Sequence, residues 1–241
     1  MSSAGEMWVS IFFLFQLALF LLGILGPWRD APELKTNGRL ARPVRMLLSF
    51  SLLVAAFAIW FGGAKMLVYA QWVALGMLAS FIGDLVMARL IPLPNRLIGG
   101  MIAFGIAHAL YITAYVQTIQ TISSLEPYNR FNAGLITGLL FYGAFTIIGW
   151  WFLIRNPQKD AAINFGALGY GLWISVMASC ALGLGYALGF WLTAIGGLLF
   201  VASDFIIGTT DIRGIKIKNA NDWIWLTYVA AQAGIIYAGG I

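Results

Sequence analysis

Runs of about twenty mostly apolar residues, the length a helix needs to cross the hydrocarbon of a bilayer, recur along almost the whole chain. They are Trp8–Gly26, Met46–Gly62, Met66–Met87, Leu97–Gln117, Phe131–Ile154, Ala161–Leu182, Tyr186–Thr210 and Trp223–Ile241. The second is short, and only the Gly183-Leu184-Gly185 stretch parts the sixth from the seventh. Charged residues make up 10% of the chain and apolar ones 61%. A soluble domain carries about 25% charged residues and could not hide so much apolar surface. An ordinary soluble enzyme is therefore excluded. The pattern predicts an all-α polytopic membrane protein with eight transmembrane helices, forming a single membrane-embedded domain over residues 1–241. The first run is not expected to be a signal peptide, because Glu6 and no basic residue precedes it.

The remaining charges are sorted by side. Arg29, Lys35, Arg39, Arg42, Arg45, Arg89, Arg96, Arg155, Lys159, Arg213, Lys216 and Lys218 fall in the odd-numbered connections. Lys65 and Arg130 fall on the other side. Cytoplasmic loops retain Lys and Arg, so the odd connections are expected in the cytosol and both termini outside, in a cell's inner or plasma membrane. The net charge of +5 then follows from topology and gives no reason to expect nucleic acid. Trp8, Trp28, Trp60, Trp150, Trp151, Trp191, Trp223 and Trp225 lie near span ends, as an interfacial aromatic belt would. The single cysteine, Cys180, cannot form an intrachain disulfide, and a single histidine rules out a zinc site built on several His ligands.

Two carboxylates have no topological reason to be where they are. Asp84 lies inside the third run and Asp204 inside the seventh. A charge at bilayer depth costs about 2.5–3.5 kcal/mol even on the lenient insertion scale, and such residues face a bundle interior or a wet cavity. Both helices run in the same direction. The rise of a helix puts the two carboxylates at matched depth, roughly 7–11 Å inside the cytoplasmic ends. His108 lies roughly 18 Å in, nearer the midplane. The blander alternative is that each Asp, and His108, merely bonds across helices and glues them together.

The surroundings of the two Asp residues resemble each other. Ala74, Gly76, Leu78 and Asp84 match Ala194, Gly196, Leu198 and Asp204 at an offset of half the chain, and His108 aligns with Tyr228. Residues 1–120 and 121–241 thus read as parallel four-helix repeats, as in some transporter halves.

Several segments, taken in order, resemble the lysoplasmalogenase family, also called YhhN-like membrane proteins. They are Arg42-Pro43, Gly83-Asp84, Phe104, Ala107-His108 with Tyr111, Tyr170 with Met177, Gly196, Phe200, Ser203-Asp204, and Tyr228 followed four residues on by Gln232. The resemblance covers most of the chain. Arg42 departs from it, since Lys is frequent there. The resemblance implies hydrolysis of the vinyl-ether bond of a lysoplasmalogen to a fatty aldehyde and glycerophospho-ethanolamine or -choline. It also implies catalytic roles for Asp84 and Asp204.

That chemistry suits these residues. Vinyl ethers hydrolyse by proton addition to carbon, giving an oxocarbenium ion that water attacks. The reaction wants one carboxylic acid and one carboxylate. Desolvation and like-charge repulsion are the general means of keeping one of two neighbouring carboxyls protonated, and glycosidases use a similar pair. No metal or cofactor is required. His108, Tyr111, Tyr228 and Gln232 are candidates to orient water or a headgroup oxygen. Ser80 and Ser203 read as hydrogen-bond partners, since no His–Asp relay adjoins either. Arg42, Arg45, Arg89 and Arg96 follow first from topology, and a lipid phosphate is their second reading. The expected partners are a lysophospholipid substrate and membrane lipids, and the sequence does not specify an oligomeric state. A proton-coupled transporter or flippase of a lipid or amphiphile, using the Asp pair as a relay, is the alternative.

Overall fold

The computed structural model describes residues 3–26, 37–62, 64–122 and 124–240, with only the backbone given for residues 3–8. Trp28, Arg29 and Lys35 lie outside the described residues, as does the side chain of Trp8. Among the described residues there are eight α-helices and no strand. They are α1 (Ser3–Leu25), α2 (Arg42–Phe61), α3 (Leu67–Met87), α4 (Arg96–Gln120), α5 (Leu125–Gly149), α6 (Ala161–Leu188), α7 (Trp191–Ile207) and α8 (Ala220–Ala238). Single π turns, Trp150–Ile154 and Gly208–Ile212, extend α5 and α7. Six helices, α2 to α7, are long and apolar enough to cross a membrane. The described side chains of α1 begin only at Val9, and α8 carries Asn221, Asp222 and Gln232, so neither is among the six. Large apolar side chains such as Leu22, Leu140, Phe152 and Phe165 face outward, as in a multi-pass membrane protein.

Two boundaries differ from the sequence expectation. α2 is a full-length helix, because Pro43 at its start needs no helical N–H partner and Arg45 is carried inside the bundle. α6 runs through Gly183 and Gly185 and stops at Gly189, whose φ of 76° is the left-handed conformation that suits glycine. Gly183 is small for packing. A Cβ there would lie 2.7 Å from the Phe131 carbonyl oxygen. Gly134 and Gly138 of α5 face Gly183 and Ser179 of α6 so closely that a Cβ on either glycine would stand 2.7–2.8 Å from the opposing backbone. Small residues four apart allow such backbone approach in membranes, where apolar burial alone does not join helices.

The same device positions the third and fourth helices. Gly76 and Gly83 of α3 receive the rings of Tyr111 and Phe104 of α4, and added Cβ atoms would come within 2.3 and 2.9 Å of them. α3 packs on α4, α5 on α6 and α7 on α8, while α2 reaches α3 and α8, and α4 reaches α6. Asp84, beside Gly83, is thereby fixed opposite α2 and α8.

Loop contacts gather one end of the bundle. Asp222 at the start of α8 accepts the backbone N–H groups of Arg39 (2.7 Å) and Leu40 (3.0 Å). Asn37 donates to the Ile217 carbonyl at 2.6 Å. Arg96 pairs with Asp211 at 2.8 Å, and Asn156 donates to the Ile212 carbonyl at 2.9 Å. The segment before α2 and the α3–α4, α5–α6 and α7–α8 loops therefore meet at one end, which carries most of the described Lys and Arg. Two tryptophans depart from the belt. Trp150 and Trp225 are buried, the first donating to the Asn164 carbonyl at 2.8 Å and the second lying beneath Arg45.

Replacing Gly134 by Leu should lower stability in detergent by about 1–3 kcal/mol through overpacking, read as a fall in the thermal unfolding midpoint. Gly143 has no atom within 4 Å of its would-be Cβ, so Gly143→Leu should stay within about 0.5 kcal/mol of wild type.

Candidate active site

Asp84 sits in the last turn of α3 and is buried. One of its oxygens, Oδ2, accepts two hydroxyls, Ser49 Oγ from α2 at 2.5 Å and Tyr228 OH from α8 at 2.7 Å. Three helices thus converge on a single carboxylate oxygen. Asp204, near the end of α7, is half-buried. Its Oδ2 accepts the hydroxyl of Tyr170 from α6. That hydroxyl also meets His108 Nε2 of α4 at 3.2 Å. The Tyr170 hydroxyl thus bridges Asp204 and His108. His108 Nδ1 has no hydrogen-bond partner among the described residues.

Asp84 and Asp204 line one cavity of about 410 Å³. Phe104, Tyr228, Ser203 and Trp225 share its inner wall, Arg45 lies within it, and Arg42, Arg89, Arg96 and Lys216 surround its mouth at the basic end. Arg45 is buried, donates to Asn221 Oδ1 at 3.1 Å and lies 5.9 Å from the centre of the Trp225 ring. Asn221 also lines the cavity, and its Nδ2 has no partner among the described residues. Arg89 ends α3 in the left-handed conformation, with φ 59°.

The inner wall is closed by rings. Phe104, Phe200 and Tyr228 meet edge to face at 5.5–6.3 Å between centroids. The His108 ring stands 4.8 Å from Phe200, also edge-on. Edge-to-face contact directs positive ring edges at negative faces, which fixes Tyr228 and His108 in orientation. Further from the basic end, Tyr111 donates to Gln232 Oε1 at 2.8 Å, and Ser80 meets the Tyr111 hydroxyl at 3.3 Å. Beyond them Tyr69, Tyr115, Met77 and Ile235 are fully buried and fill the bundle.

The sequence-predicted residues therefore divide. Asp84, Asp204, Tyr228 and Ser203 line the cavity. Ser203 donates to the Ile224 carbonyl at 3.2 Å, joining α7 to α8. His108 reaches Asp204 only through Tyr170. Tyr111, Ser80 and Gln232 form a buried cluster behind the cavity wall. Sequence reasoning missed Ser49, the direct partner of Asp84, and the inward placement of Arg45. Their four-residue spacing, which puts them on one face of α2, is the signal that links them.

Beneath the cavity runs a second opening, an almost wholly apolar crevice of about 70 Å³ between α4, α5, α6 and α7. Met87, Phe104, Asp204 and Ile207 line both. Asp204 thus stands where a polar, basic chamber meets an apolar one, while Asp84 faces only the polar side.

The YhhN family model matches residues 40–239. No curated protein and no solved structure matches the chain. The match begins just before α2 and ends after α8, so it takes in both carboxylates and every helix that holds them, and the chain belongs to the YhhN family.

Proposed function

We propose that this protein is an intramembrane hydrolase that cleaves the vinyl-ether bond of a lysoplasmalogen, with Asp84 and Asp204 as its acid–base pair. The observation that carries the reading is that both carboxylates line one cavity, which opens among arginines. Family membership supports it. In the reaction one carboxylic acid protonates the vinyl carbon remote from oxygen, leaving an oxocarbenium ion. The other carboxylate takes a proton from water as its oxygen adds to the cation. The hemiacetal then breaks its carbon–oxygen bond to the glycerol, whose oxygen takes a proton, and a fatty aldehyde leaves. Ser49, Tyr228 and Tyr170 hold the carboxylates in place by hydrogen bonds, a fixed electrostatic environment of the kind that stabilises developing charge. His108 acts on Asp204 through Tyr170. The mouth arginines meet the phosphate of the headgroup, and Arg45 with Asn221 forms the innermost polar contact.

We read the basic end as cytoplasmic, with eight crossings in total and both termini outside. The pairing of α1 with α2 and α5 with α6, of α3 with α4 and α7 with α8, and of α2 with α8 and α6 with α4 supports the two halves as repeats. The fully buried Tyr69, Tyr115, Met77 and Ile235 beyond Tyr111 favour hydrolysis over transport, because they fill the bundle between the cavity and its opposite end.

Purified protein should release aldehyde from a lysoplasmalogen, and Asp84→Asn and Asp204→Asn should each lower kcat by about 10²–10⁴-fold, the usual contribution of general acid–base catalysis. Wild-type turnover in both variants would sink the mechanism. Arg89→Gly should separate fold from function. It relieves a left-handed residue and should stabilise the protein by about 1 kcal/mol. It should also raise KM about ten-fold, as loss of a charged hydrogen bond does.

A further inference from the structure

The apolar crevice has no role in the arrangement of polar groups, yet it is continuous with them. Its walls are Phe145 and Trp150 of α5 and its π turn, Tyr170 and Gly171 of α6, Val201 of α7, and Met101 of α4. Gly171 lets α6 approach α5 along this wall, since a Cβ there would come within 2.9 Å of Thr146 Cγ2. The crevice joins the basic cavity at Met87, Phe104, Asp204 and Ile207. Such a pair of chambers matches a molecule with a phosphate at one end and one hydrocarbon chain at the other. At about 70 Å³ the crevice has room for a short stretch of one chain next to the linkage.

We propose that the crevice between α4, α5, α6 and α7 holds the first methylenes of the hydrocarbon chain of a single-chain lipid whose headgroup occupies the basic cavity, the rest of the chain running on between the half-buried side chains that border it. The proposal rests on the hydrolase reading for its chemistry. With the headgroup in the cavity and the chain in the crevice, the linking atoms lie at Asp204. The order along such a lipid is chain, remote vinyl carbon, ether carbon, oxygen, glycerol. Asp204, on the chain side of the junction, faces the remote carbon, and Asp84, in the polar chamber alone, faces the ether carbon and water. Asp204 is then the proton donor. Its O–H bond breaks and the proton bonds to the remote carbon, using the vinyl π electrons, and the cation is left on the ether carbon and oxygen. Asp84 takes the proton of the attacking water.

The chain site is tested without turnover. A lysophospholipid with a saturated ether link, which cannot be hydrolysed at a vinyl bond, and a photoreactive diazirine in its chain would be crosslinked to the purified protein and the adducts mapped. The expected result is labelling at the crevice walls, cut at least five-fold by Ala167→Phe, which fills the crevice at a half-buried position. Met101→Trp, on the opposite wall, serves if that variant does not fold. Labelling spread over the outward faces of α1 and α2, or unchanged in both variants, overturns the chain site. Because the probe carries no vinyl ether, this result is independent of whether the protein hydrolyses one.

The division of labour is tested with azide, which captures an oxocarbenium ion as an azido ether. Asp84→Ala retains the proton donor, so added azide should give the azido ether at least ten times faster than Asp204→Ala does. The reverse order, or equal rates, overturns the assignment of Asp204.

Discussion

The bundle is arranged around the cost of setting two carboxyl groups among its apolar helices. A buried carboxyl group needs donors, and three hydroxyls from three other helices supply them, Ser49 of α2 and Tyr228 of α8 to Asp84 and Tyr170 of α6 to Asp204, while His108 of α4 adjoins Tyr170. Tyr228 in turn needs exact placement, and the aromatic rings of Phe104 and Phe200 supply it by edge contact. A polar group removed from this set leaves another buried without its partner, which costs more than the lost bond alone. The site therefore binds the helices to one another as much as the helices build the site.

Close backbone approach is the second requirement. The rings of Phe104 and Tyr111 can enter α3 only because Gly83 and Gly76 present no side chain. Hence the Gly-Asp pair is one structural unit, in which the glycine admits the ring that closes the cavity behind the neighbouring carboxylate. The Gly134–Gly183 crossing does the same for α5 and α6, which form the far wall of the crevice.

Much of this was legible in the residues. Runs of apolar length gave the helices, and the isolation of Asp84 and Asp204 among apolar neighbours marked them, since no loop or capping role accounts for a carboxylate there. What was hidden was partnership. Ser49 is a common residue with nothing in its local sequence to tie it to Asp84, 35 positions away. Trp150 and Trp225 sit near helix ends, as belt residues do, and only tertiary packing turns them inward. Gly183 and Gly185 looked like a break because glycine serves both turns and tight packing, and sequence alone does not separate the two uses.

The two chambers have one more consequence. The basic cavity opens to water at the end where the loops gather, whereas the crevice is bordered by half-buried apolar side chains such as Met101 and Phe205. Under the proposed hydrolysis, cleavage at their junction would yield one fragment suited to each phase. The glycerophospho headgroup fragment would dissolve on the wet side and the aldehyde would partition into oil, so each product would drain into its own solvent and the two would have no shared compartment in which to recombine.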